Sequence, residues 1–162
     1  MSSKNKLVIL EKKDIEHKLN RLACQILENH AAEGKLQFIG LNERGFKLAQ
    51  EIKKRMLKLD KSKSIEITQG ITEKEILIAK KDKLDAQVPI VIMDDVLNTG
   101  RSIFYLLSDL SSIQPKNVQI CVLADRHHKK YPIHADFVGL TFATTLQEHI
   151  YFDIDTPELY LQ

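Results

Sequence analysis

One stretch of the chain constrains its fold more than any other: an apolar run that ends in two acidic residues and a glycine-containing turn. Residues 88–93 (VPIVIM) are nearly all apolar, which is typical of a strand buried on both faces of a parallel sheet. Asp94 and Asp95 follow, and after a polar turn the apolar spacing predicts a helix over 101–111. A strand, a turn and a helix in this order form the repeating unit of an α/β fold.

The remaining chain alternates between segments with helical apolar spacing and short apolar segments of strand length. This alternation predicts an α/β fold with a mainly parallel, twisted sheet flanked by helices. In the less regular segment 64–79, a turn at Gly70 is expected to separate two short strands. The predicted helices cover 14–30, 45–59 and 101–111, and the other predicted strands cover 36–41, 88–95, 118–124, 137–142, 149–154 and 158–162.

Length and composition predict a single domain over residues 1–162. Hydrophobic residues make up 43% and charged residues 28%, ordinary values for a soluble globular protein. No apolar run approaches the roughly 20 residues of a membrane-spanning helix, and the first ten residues lack the apolar core of a signal peptide. The only cysteines are Cys24 and Cys121, so a reducing cytoplasmic location is predicted. Cys24 falls on the apolar side of its helix and is expected to be buried.

Charge is distributed unevenly along the chain, although the net charge is only +2. Residues 1–63 hold 15 lysines and arginines against 8 acidic residues, whereas residues 64–162 hold 9 against 14. A solvated helix face explains this asymmetry most simply. A surface that meets a phosphorylated substrate or a nucleic acid is the alternative.

Chemistry is expected at the carboxyl ends of the strands, where ligands of open parallel sheets bind. Residues 98–102 (NTGRS) lead from a strand into a helix. Amides at a helix N-terminus bind anions, and Gly100 allows the backbone to approach a phosphate closely. The preceding carboxylates accept hydrogen bonds from sugar hydroxyls, so a phosphorylated sugar is the favoured ligand. For the turn by itself, a helix cap from Thr99 or Ser102 is the alternative.

These residues resemble a known family. The segment VPIVIMDDVLNTGRSI resembles the phosphoribosyl-diphosphate (PRPP) signature of type I phosphoribosyltransferases. Three further segments, KLVILEKKDIEHKLNRLACQILENH, FIGLNERGFKLAQEI and VLADRHHKKYPIHADFVG, resemble the pyrimidine-operon attenuation regulator and uracil phosphoribosyltransferase family. The similarity covers most of residues 6–63 and 88–151. It implies a type I phosphoribosyltransferase fold, in which a small hood accompanies the central sheet.

The resemblance implies a role in PRPP binding for each matching position. Asp94 and Asp95 would hold the ribose hydroxyls and lie beside a Mg²⁺ ion that is bound largely through PRPP. Arg44, in the segment NERG, would neutralise the leaving diphosphate, so these three residues form the implied catalytic set. The other implied cofactor-binding residues of the two segments are Asn42, Glu43, Gly45, Val96, Leu97, Asn98, Thr99, Gly100, Arg101 and Ser102.

The resemblance also implies where the base binds. Phe137 and Val138 match positions at which related purine enzymes stack on the base and hydrogen-bond it. Asp125 stands where those enzymes use a lysine, and an ionised carboxylate accepts hydrogen bonds instead of donating them. Asn98 stands where hypoxanthine-guanine relatives place a carboxylate, and an amide cannot act as a general base. The acceptor at Asp125 favours a base with a ring N–H over that purine mode, and uracil is the preferred base.

The predicted function is transfer of the 5-phosphoribosyl group of PRPP to a free nucleobase, by a homodimer or higher homo-oligomer without a membrane partner. Glu43 is expected to weaken PRPP binding unless it points away, and the segment 68–86, implied to exclude water, hardly matches the family. These departures leave a degenerate, inactive relative as one alternative. An RNA-binding attenuation regulator that senses nucleotides is another. A receiver domain would explain the acidic pair but neither NTGRS nor NERG.

Overall fold

The computed structural model describes residues 7–72, 76–78, 80–143, 150–153 and 155–161. Short 3₁₀ turns at Lys81–Lys83 and Ser111–Ile113 accompany the regular elements. In chain order, the strands and α-helices are β1 (Leu7–Leu10), α1 (Lys12–Asn29), β2 (Lys35–Leu41), α2 (Asn42–Leu59), β3 (Ser64–Thr72), β4 (Ile76–Ile78), β5 (Ile90–Leu97), α3 (Arg101–Leu110), β6 (Val118–Arg126), β7 (Phe137–Phe142), β8 (Ile150–Asp153) and β9 (Glu158–Leu161).

The larger sheet has the strand order β4–β3–β2–β5–β6–β7. Its last five strands run parallel, and β4 is antiparallel to β3 at one edge. Parallel neighbours need crossover connections, which α2 and α3 provide between β2 and β3 and between β5 and β6. The apolar strand β5 lies at the centre of the parallel set, as its sequence predicts.

Helices cover both faces of this sheet and create two cores. Phe38 and Val91 point to the side of α1 and α2, whereas the next residues, Ile39 and Ile92, point to the side of α3. This division follows from the alternation of side chains along a strand. All four side chains are fully buried. The central strands therefore carry apolar residues on both faces, and polar residues are left for their ends.

A second, antiparallel sheet with the order β1–β9–β8 forms the small hood that the resemblance implies. It joins the two ends of the described chain, since Leu7 pairs with Leu161. Ile150, Phe152 and Leu159 bury their side chains in the core shared with α1 and α2. Strand β1 was not predicted from sequence, because it has only four residues and none of them is fully buried.

The three predicted helices are confirmed, although α2 begins at Asn42, three residues earlier than expected. The predicted turn at Gly70 is wrong. Gly70 lies inside β3 and is buried, and a Cβ atom there would stand 3.2 Å from a methyl carbon of Leu106. The predicted burial of Cys24 is also wrong, because Cys24 lies about 100° around α1 from Ala23, past the edge of the buried stripe. In the part of the chain that the structure describes, no helix is long and apolar enough to cross a membrane.

Candidate active site

A cavity of about 210 Å³ lies at the carboxyl end of β5, between the first turns of α2 and α3. This is the position at which an open parallel sheet binds its ligands. The cavity brings together the predicted acidic pair, the predicted phosphate-binding turn and the arginine of the NERG segment. Its lining residues are Asn42, Arg44, Asp94, Asp95, Val96, Leu97, Asn98, Thr99, Gly100, Arg101, Ser102, Ile103 and Ile150.

The acidic pair belongs to β5 itself, as the predicted strand 88–95 implies, and the observed strand begins and ends two residues later, at Ile90 and Leu97. The amide of Asp95 donates a hydrogen bond to Oδ1 of Asp94 at 3.0 Å. Nη1 of Arg44 lies 3.6 Å from Oδ2 of Asp95. The side chain of Arg44 is 51% exposed and that of Asp95 only 12%, so the arginine reaches from the rim of the cavity to a carboxylate in its floor.

The environment of Asp94 favours its protonated form. Desolvation raises the pKa of Asp94 well above its usual range, and the negative charge of Asp95 raises this pKa further. The guanidinium of Arg44 acts in the opposite direction but more weakly. An additional positive charge or a set of hydroxyl donors at the cavity would therefore stabilise the ionised pair. Such a perturbed carboxyl group in a cleft is typical of a functional site.

The turn before α3 depends on Gly100, whose φ of 81° lies in the left-handed region. A Cβ atom at this position would stand 3.0 Å from the side chain of Ile133. The carbonyl oxygen of Thr99 accepts hydrogen bonds from the amides of Lys130 and Tyr131, at 2.9 and 3.1 Å. The N-cap of α3 is Gly100, which has no side chain to cap the helix, and Oγ1 of Thr99 accepts a hydrogen bond from the amide of Arg101, the first residue of α3, at 3.3 Å. The first turn of α3 lines the cavity through Arg101, Ser102 and Ile103, and the start of a helix favours an anion.

Two glycines bring the first turn of α2 directly against the sheet. A Cβ atom on Gly40 would stand 2.3 Å from the Cα atom of Phe46, and one on Gly45 would stand 2.4 Å from the carbonyl oxygen of Met93. At both contacts, only a residue without a Cβ atom fits. The NERG segment forms the first turn of α2, and the backbone of Arg44 lies beside β5. Asn42 opens the turn with a φ of 54°, a left-handed conformation that asparagine tolerates.

Glu43 and Gly45 do not line the cavity. An Oε1 to Nζ distance of 3.2 Å pairs Glu43 with Lys47, one turn further along α2. The carboxylate of Glu43 is thus turned toward a cation and is 79% exposed. Gly45 supports the site indirectly, because its close packing on Met93 lets the first turn of α2 lie against β5.

The residues predicted to bind the base do not line this cavity. Phe137 is buried at the amino end of β7, in the core shared with α1, and pairs in register with Cys121. The carbonyl oxygen of Val138 accepts a hydrogen bond from Arg21 at 3.1 Å. Asp125 is buried at the end of β6 and forms an ion pair with Lys129. Since parallel strands present ligands at their carboxyl ends, the amino end of β7 is an unsuitable position for a base.

The segment 68–86, implied to exclude water, divides into several parts. Residues 68–72 complete β3, residues 76–78 form β4, and a 3₁₀ turn covers Lys81–Lys83. Residues 73–75 and 79 lie outside the described residues. The water-excluding role of this segment stays a prediction.

Sequence reasoning missed three residues that belong to the site or support it. Ile103 and Ile150 line the cavity, and Ile150 comes from the hood. Arg126 is buried at the end of β6, and its Nη1 donates a hydrogen bond to Oδ1 of Asn98 at 3.1 Å. A charged residue at the end of an otherwise apolar strand was the available signal for Arg126.

The donor chemistry of the cavity fits Mg²⁺. Carboxylate oxygens are the protein ligands that this ion prefers, and it commonly combines one or two of them with substrate phosphates and water. Asp94 and Asp95 offer such oxygens on the cavity wall. Among the described residues, no group of three or more histidine, cysteine, aspartate or glutamate side chains could hold a metal ion by itself.

The sequence over residues 8–160 matches the phosphoribosyl transferase domain family. The chain belongs to this family. A bifunctional protein PyrR from Macrococcus caseolyticus is 35% identical to this phosphoribosyltransferase, and the match covers 93% of each chain. A bifunctional protein PyrR from Clostridioides difficile is 31% identical, and the match covers 90% of this chain and 89% of the relative.

Solved phosphoribosyltransferases share the fold. A hypoxanthine-guanine phosphoribosyltransferase from Bacillus anthracis superposes with a TM-score of 0.76 at 17% identity, covering 94% of this chain and 95% of the other. The hypoxanthine phosphoribosyltransferase of Trypanosoma cruzi gives 0.77 at 14% identity, covering 96% and 95%. The predicted type I fold and the predicted phosphoribosyltransferase function are confirmed at the level of the family, and the receiver-domain alternative is wrong.

Proposed function

We propose that this phosphoribosyltransferase transfers the 5-phosphoribosyl group of PRPP to a free nucleobase, with uracil as the preferred base, and releases diphosphate. One observation carries the proposal: a single cavity joins an acidic pair, an arginine and the N-terminus of a helix. These three features complement the hydroxyls, the diphosphate and the 5-phosphate of PRPP.

Each part of PRPP has a partner of matching chemistry. The 5-phosphate binds the turn 98–102, where the amides at the start of α3 and the hydroxyl groups of Thr99 and Ser102 act as donors. The ribose hydroxyls donate to the carboxylates of Asp94 and Asp95. Arg44, at the rim, binds the diphosphate with a guanidinium group suited to phosphate oxygens.

Mg²⁺ would be held by Asp94 and Asp95 together with oxygen atoms of PRPP. When it is bound, this ion neutralises negative charge on the diphosphate and so favours its departure. Within the protein, Arg44 neutralises the same negative charge, because its guanidinium group faces the leaving diphosphate. Because Asp94 favours its protonated form, the positive charge of the ion and the ribose hydroxyls would shift Asp94 toward ionisation.

The transfer exchanges one bond at the anomeric carbon for another. A nitrogen of the base forms a bond to C1 of the ribose, while the bond from C1 to the diphosphate oxygen breaks and its electron pair leaves with the diphosphate. The proton of the attacking nitrogen passes to the solvent. Positive charge develops on the ribose ring in the transition state, so the protein contributes mainly by positioning the reactants and neutralising the leaving group.

Diphosphate release from PRPP tests this function. We would measure it in the presence of Mg²⁺ with uracil, orotate, hypoxanthine, guanine, xanthine and adenine, each against a control without base. Release that depends on uracil is the expected result. If PRPP binds in calorimetry but no base gives release, the site is a sensor, and if PRPP does not bind, the inactive-relative alternative stands.

We further propose a homodimer or higher homo-oligomer in the cytoplasm. The exposed aromatic side chains of α3 support self-association, since Phe104 is 39% and Tyr105 is 44% exposed and both rings contact Tyr131. The two cysteines are free thiols, which agrees with a reducing compartment. Sedimentation equilibrium tests the assembly, and Phe104→Ser is expected to weaken it.

RNA binding is the second candidate function. A groove of about 580 Å³ between α1 and α2 is lined partly by Lys54 and Lys58, which are exposed basic residues. Arg55 in the same groove is already paired with Glu16 and Glu51, so much of its charge is compensated within the protein. An RNA affinity that decreases steeply as the salt concentration rises would support this function. Its absence would leave catalysis as the only proposed activity.

A further inference from the structure

The loop between β6 and β7, residues 127–136, supports the turn before α3 without entering the cavity. The carbonyl oxygen of Thr99 accepts hydrogen bonds from the amides of Lys130 and Tyr131, at 2.9 and 3.1 Å. Gly100, the next residue of the turn, lines the cavity, whereas none of the described residues 127–136 does. The turn therefore has one side toward the cavity and another side held by the β6–β7 loop.

The hydrogen bonds to Thr99 also determine the direction of the next amide. The carbonyl group of Thr99 and the N–H group of Gly100 belong to one peptide unit, and no peptide bond among the described residues is cis. In a trans unit these two groups point in opposite directions. Since the oxygen points toward the loop, the N–H of Gly100 points away from it. This amide belongs to the N-cap of α3, so no carbonyl of the helix can accept its hydrogen bond.

An ion pair at the start of the β6–β7 loop fixes the course of its backbone. Nζ of Lys129 contacts Oδ1 of Asp125, the last residue but one of β6. The side chain of Asp125 is 8% exposed and that of Lys129 is 24% exposed, so salt screens this pair much less than a surface pair. Asp125 itself pairs in register with Leu97, the last residue of β5. The ion pair thus connects the strand beside the turn with the residue just before the two donor amides.

We propose that Asp125 and Lys129 are positioning residues for PRPP, which hold the β6–β7 loop so that the N–H of Gly100 is directed at the 5-phosphate before the ligand binds. The inference rests on the proposed placement of the 5-phosphate at the turn 98–102 and adds two residues outside the cavity that control its affinity. A donor that is already held in its bound direction loses little conformational freedom on binding, so the affinity for the phosphate rises. Asp125 then acts on the phosphate through the loop instead of contacting the base.

The substitution Asp125→Asn tests the proposal, because it removes the ion pair and nearly keeps the shape of the side chain. Ribose 5-phosphate is the probe, since it carries the 5-phosphate and lacks the diphosphate. We expect its dissociation constant, measured by calorimetry, to increase about 5- to 20-fold. This is less than the full effect of losing a hydrogen bond to a charged group, because the amide stays within the turn. The dissociation constant of inorganic diphosphate with Mg²⁺ is expected to change less than about twofold.

The change of charge alone predicts the opposite result. Asp125→Asn removes a negative charge near an anion site, and by Coulomb attraction this would tighten the binding of a phosphate. Weaker binding of ribose 5-phosphate therefore reports on the position of the loop. Lys129→Arg retains the ion pair and is expected to bind ribose 5-phosphate within about twofold of the wild type.

Glu33→Gln is the matched control, because it also replaces a paired carboxylate by an amide. Glu33 pairs with Lys116 at 3.7 Å, just before the opposite end of β6. This variant is expected to bind both probes as the wild type does. In the transferase assay, Asp125→Asn should raise the KM for PRPP by the same factor as the dissociation constant of ribose 5-phosphate, while kcat changes less than about twofold.

The outcomes separate this inference from the proposed function. If Asp125→Asn weakens the binding of ribose 5-phosphate and diphosphate equally, the ion pair is merely structural and the inference is wrong. It is also wrong if the variant binds ribose 5-phosphate as tightly as the wild type or more tightly, or if the wild type does not bind this probe. If the wild type binds ribose 5-phosphate but releases diphosphate with no base, the transferase function has failed, and the comparison of the two probes still decides the positioning role.

Discussion

At the scale of single residues, the site combines groups that serve binding at the expense of stability. Asp94 is the clearest case, since desolvation and the neighbouring carboxylate of Asp95 both oppose its ionisation. A raised pKa means that the folded state holds its proton more tightly than the unfolded chain. Between the ordinary value of 3.8 and the higher pKa in the folded protein, the free energy of unfolding therefore decreases as the pH rises.

The substitution Asp94→Asn should stabilise the protein and remove its activity. Asparagine keeps an oxygen that accepts the amide hydrogen bond of Asp95 and removes the charge, so we expect the free energy of unfolding at pH 7 to rise by about 0.5–2 kcal/mol. The gain should vanish at a pH below 3.8, where the carboxyl group is protonated in both states. Urea denaturation across this pH range measures the effect. Asp82→Asn, at an exposed carboxyl group of the Lys81–Lys83 turn, is the control and should change stability by less than about 0.5 kcal/mol.

Arg44 should affect catalysis without affecting stability. Its side chain is 51% exposed, so Arg44→Ala is expected to change the free energy of unfolding by less than about 0.5 kcal/mol. Loss of the charge that faces the diphosphate should lower kcat about 100- to 1,000-fold. The comparison is Lys35→Ala, which removes a positive charge at the amino end of β2, the opposite end from the cavity. Equal losses in the two variants would refute the assignment of Arg44.

Glu43 should matter little for PRPP binding, in contrast to the repulsion that its charge suggests in the sequence. Its carboxylate is paired with Lys47 and is mostly exposed, so solvent screens it from the cavity. We expect Glu43→Thr to change the dissociation constant of PRPP by less than about twofold, measured by calorimetry. A tenfold tighter complex would show that the negative charge does act on the diphosphate.

At the scale of elements, the helices and central strands were predictable because each follows a simple periodic pattern. The apolar run before Asp94 specifies a strand with two buried faces. The turn 98–102 was also predictable, since glycine, hydroxyl residues and a helix start coincide there. The sequence could not show that Gly70 continues a strand, because that depends on its contact with Leu106 on α3. The place of Phe137 depends likewise on α1, whose packing no local pattern reveals.

The first turn of α2 depends on the absence of a side chain at Gly45. A Cβ atom there would stand 2.4 Å from the carbonyl oxygen of Met93, so Gly45→Ala must move α2 away from β5. We expect a loss of about 1–3 kcal/mol in unfolding free energy and at least a tenfold decrease in transfer rate, because Arg44 moves with the helix. Gly34→Ala is the control, since a Cβ atom at Gly34 would meet nothing within 4 Å. Thermal unfolding and the diphosphate assay report the two effects.

At the scale of the whole molecule, the cavity depends on both sheets. Strand β5 supplies the acidic pair, and the hood supplies Ile150. A ligand that fills this cavity contacts the two parts of the fold together. Its binding energy is therefore available to stabilise the entire folded chain.

PRPP with Mg²⁺ should raise the melting temperature. At 100 times its dissociation constant, a ligand adds about 2.7 kcal/mol to the stability of the state that it binds. For a chain of 162 residues this corresponds to an increase of about 5–11 °C. Differential scanning calorimetry measures this increase in melting temperature. Removal of Mg²⁺ with a chelator should abolish most of the increase. An equal shift with and without the chelator would contradict a magnesium ion at the acidic pair.

The pairing of β1 with β9 also has a consequence for how the protein matures during its synthesis. Leu7 and Leu161 are partners in register, so the hood cannot close until nearly all of the described chain has left the ribosome. The central parallel strands are complete much earlier, and their ends stay uncovered in the meantime. Ile150 can take its place over β5 only when this last closure occurs. A nascent chain would thus assemble most of its central sheet first and complete the active site only when β8 and β9 have been synthesised.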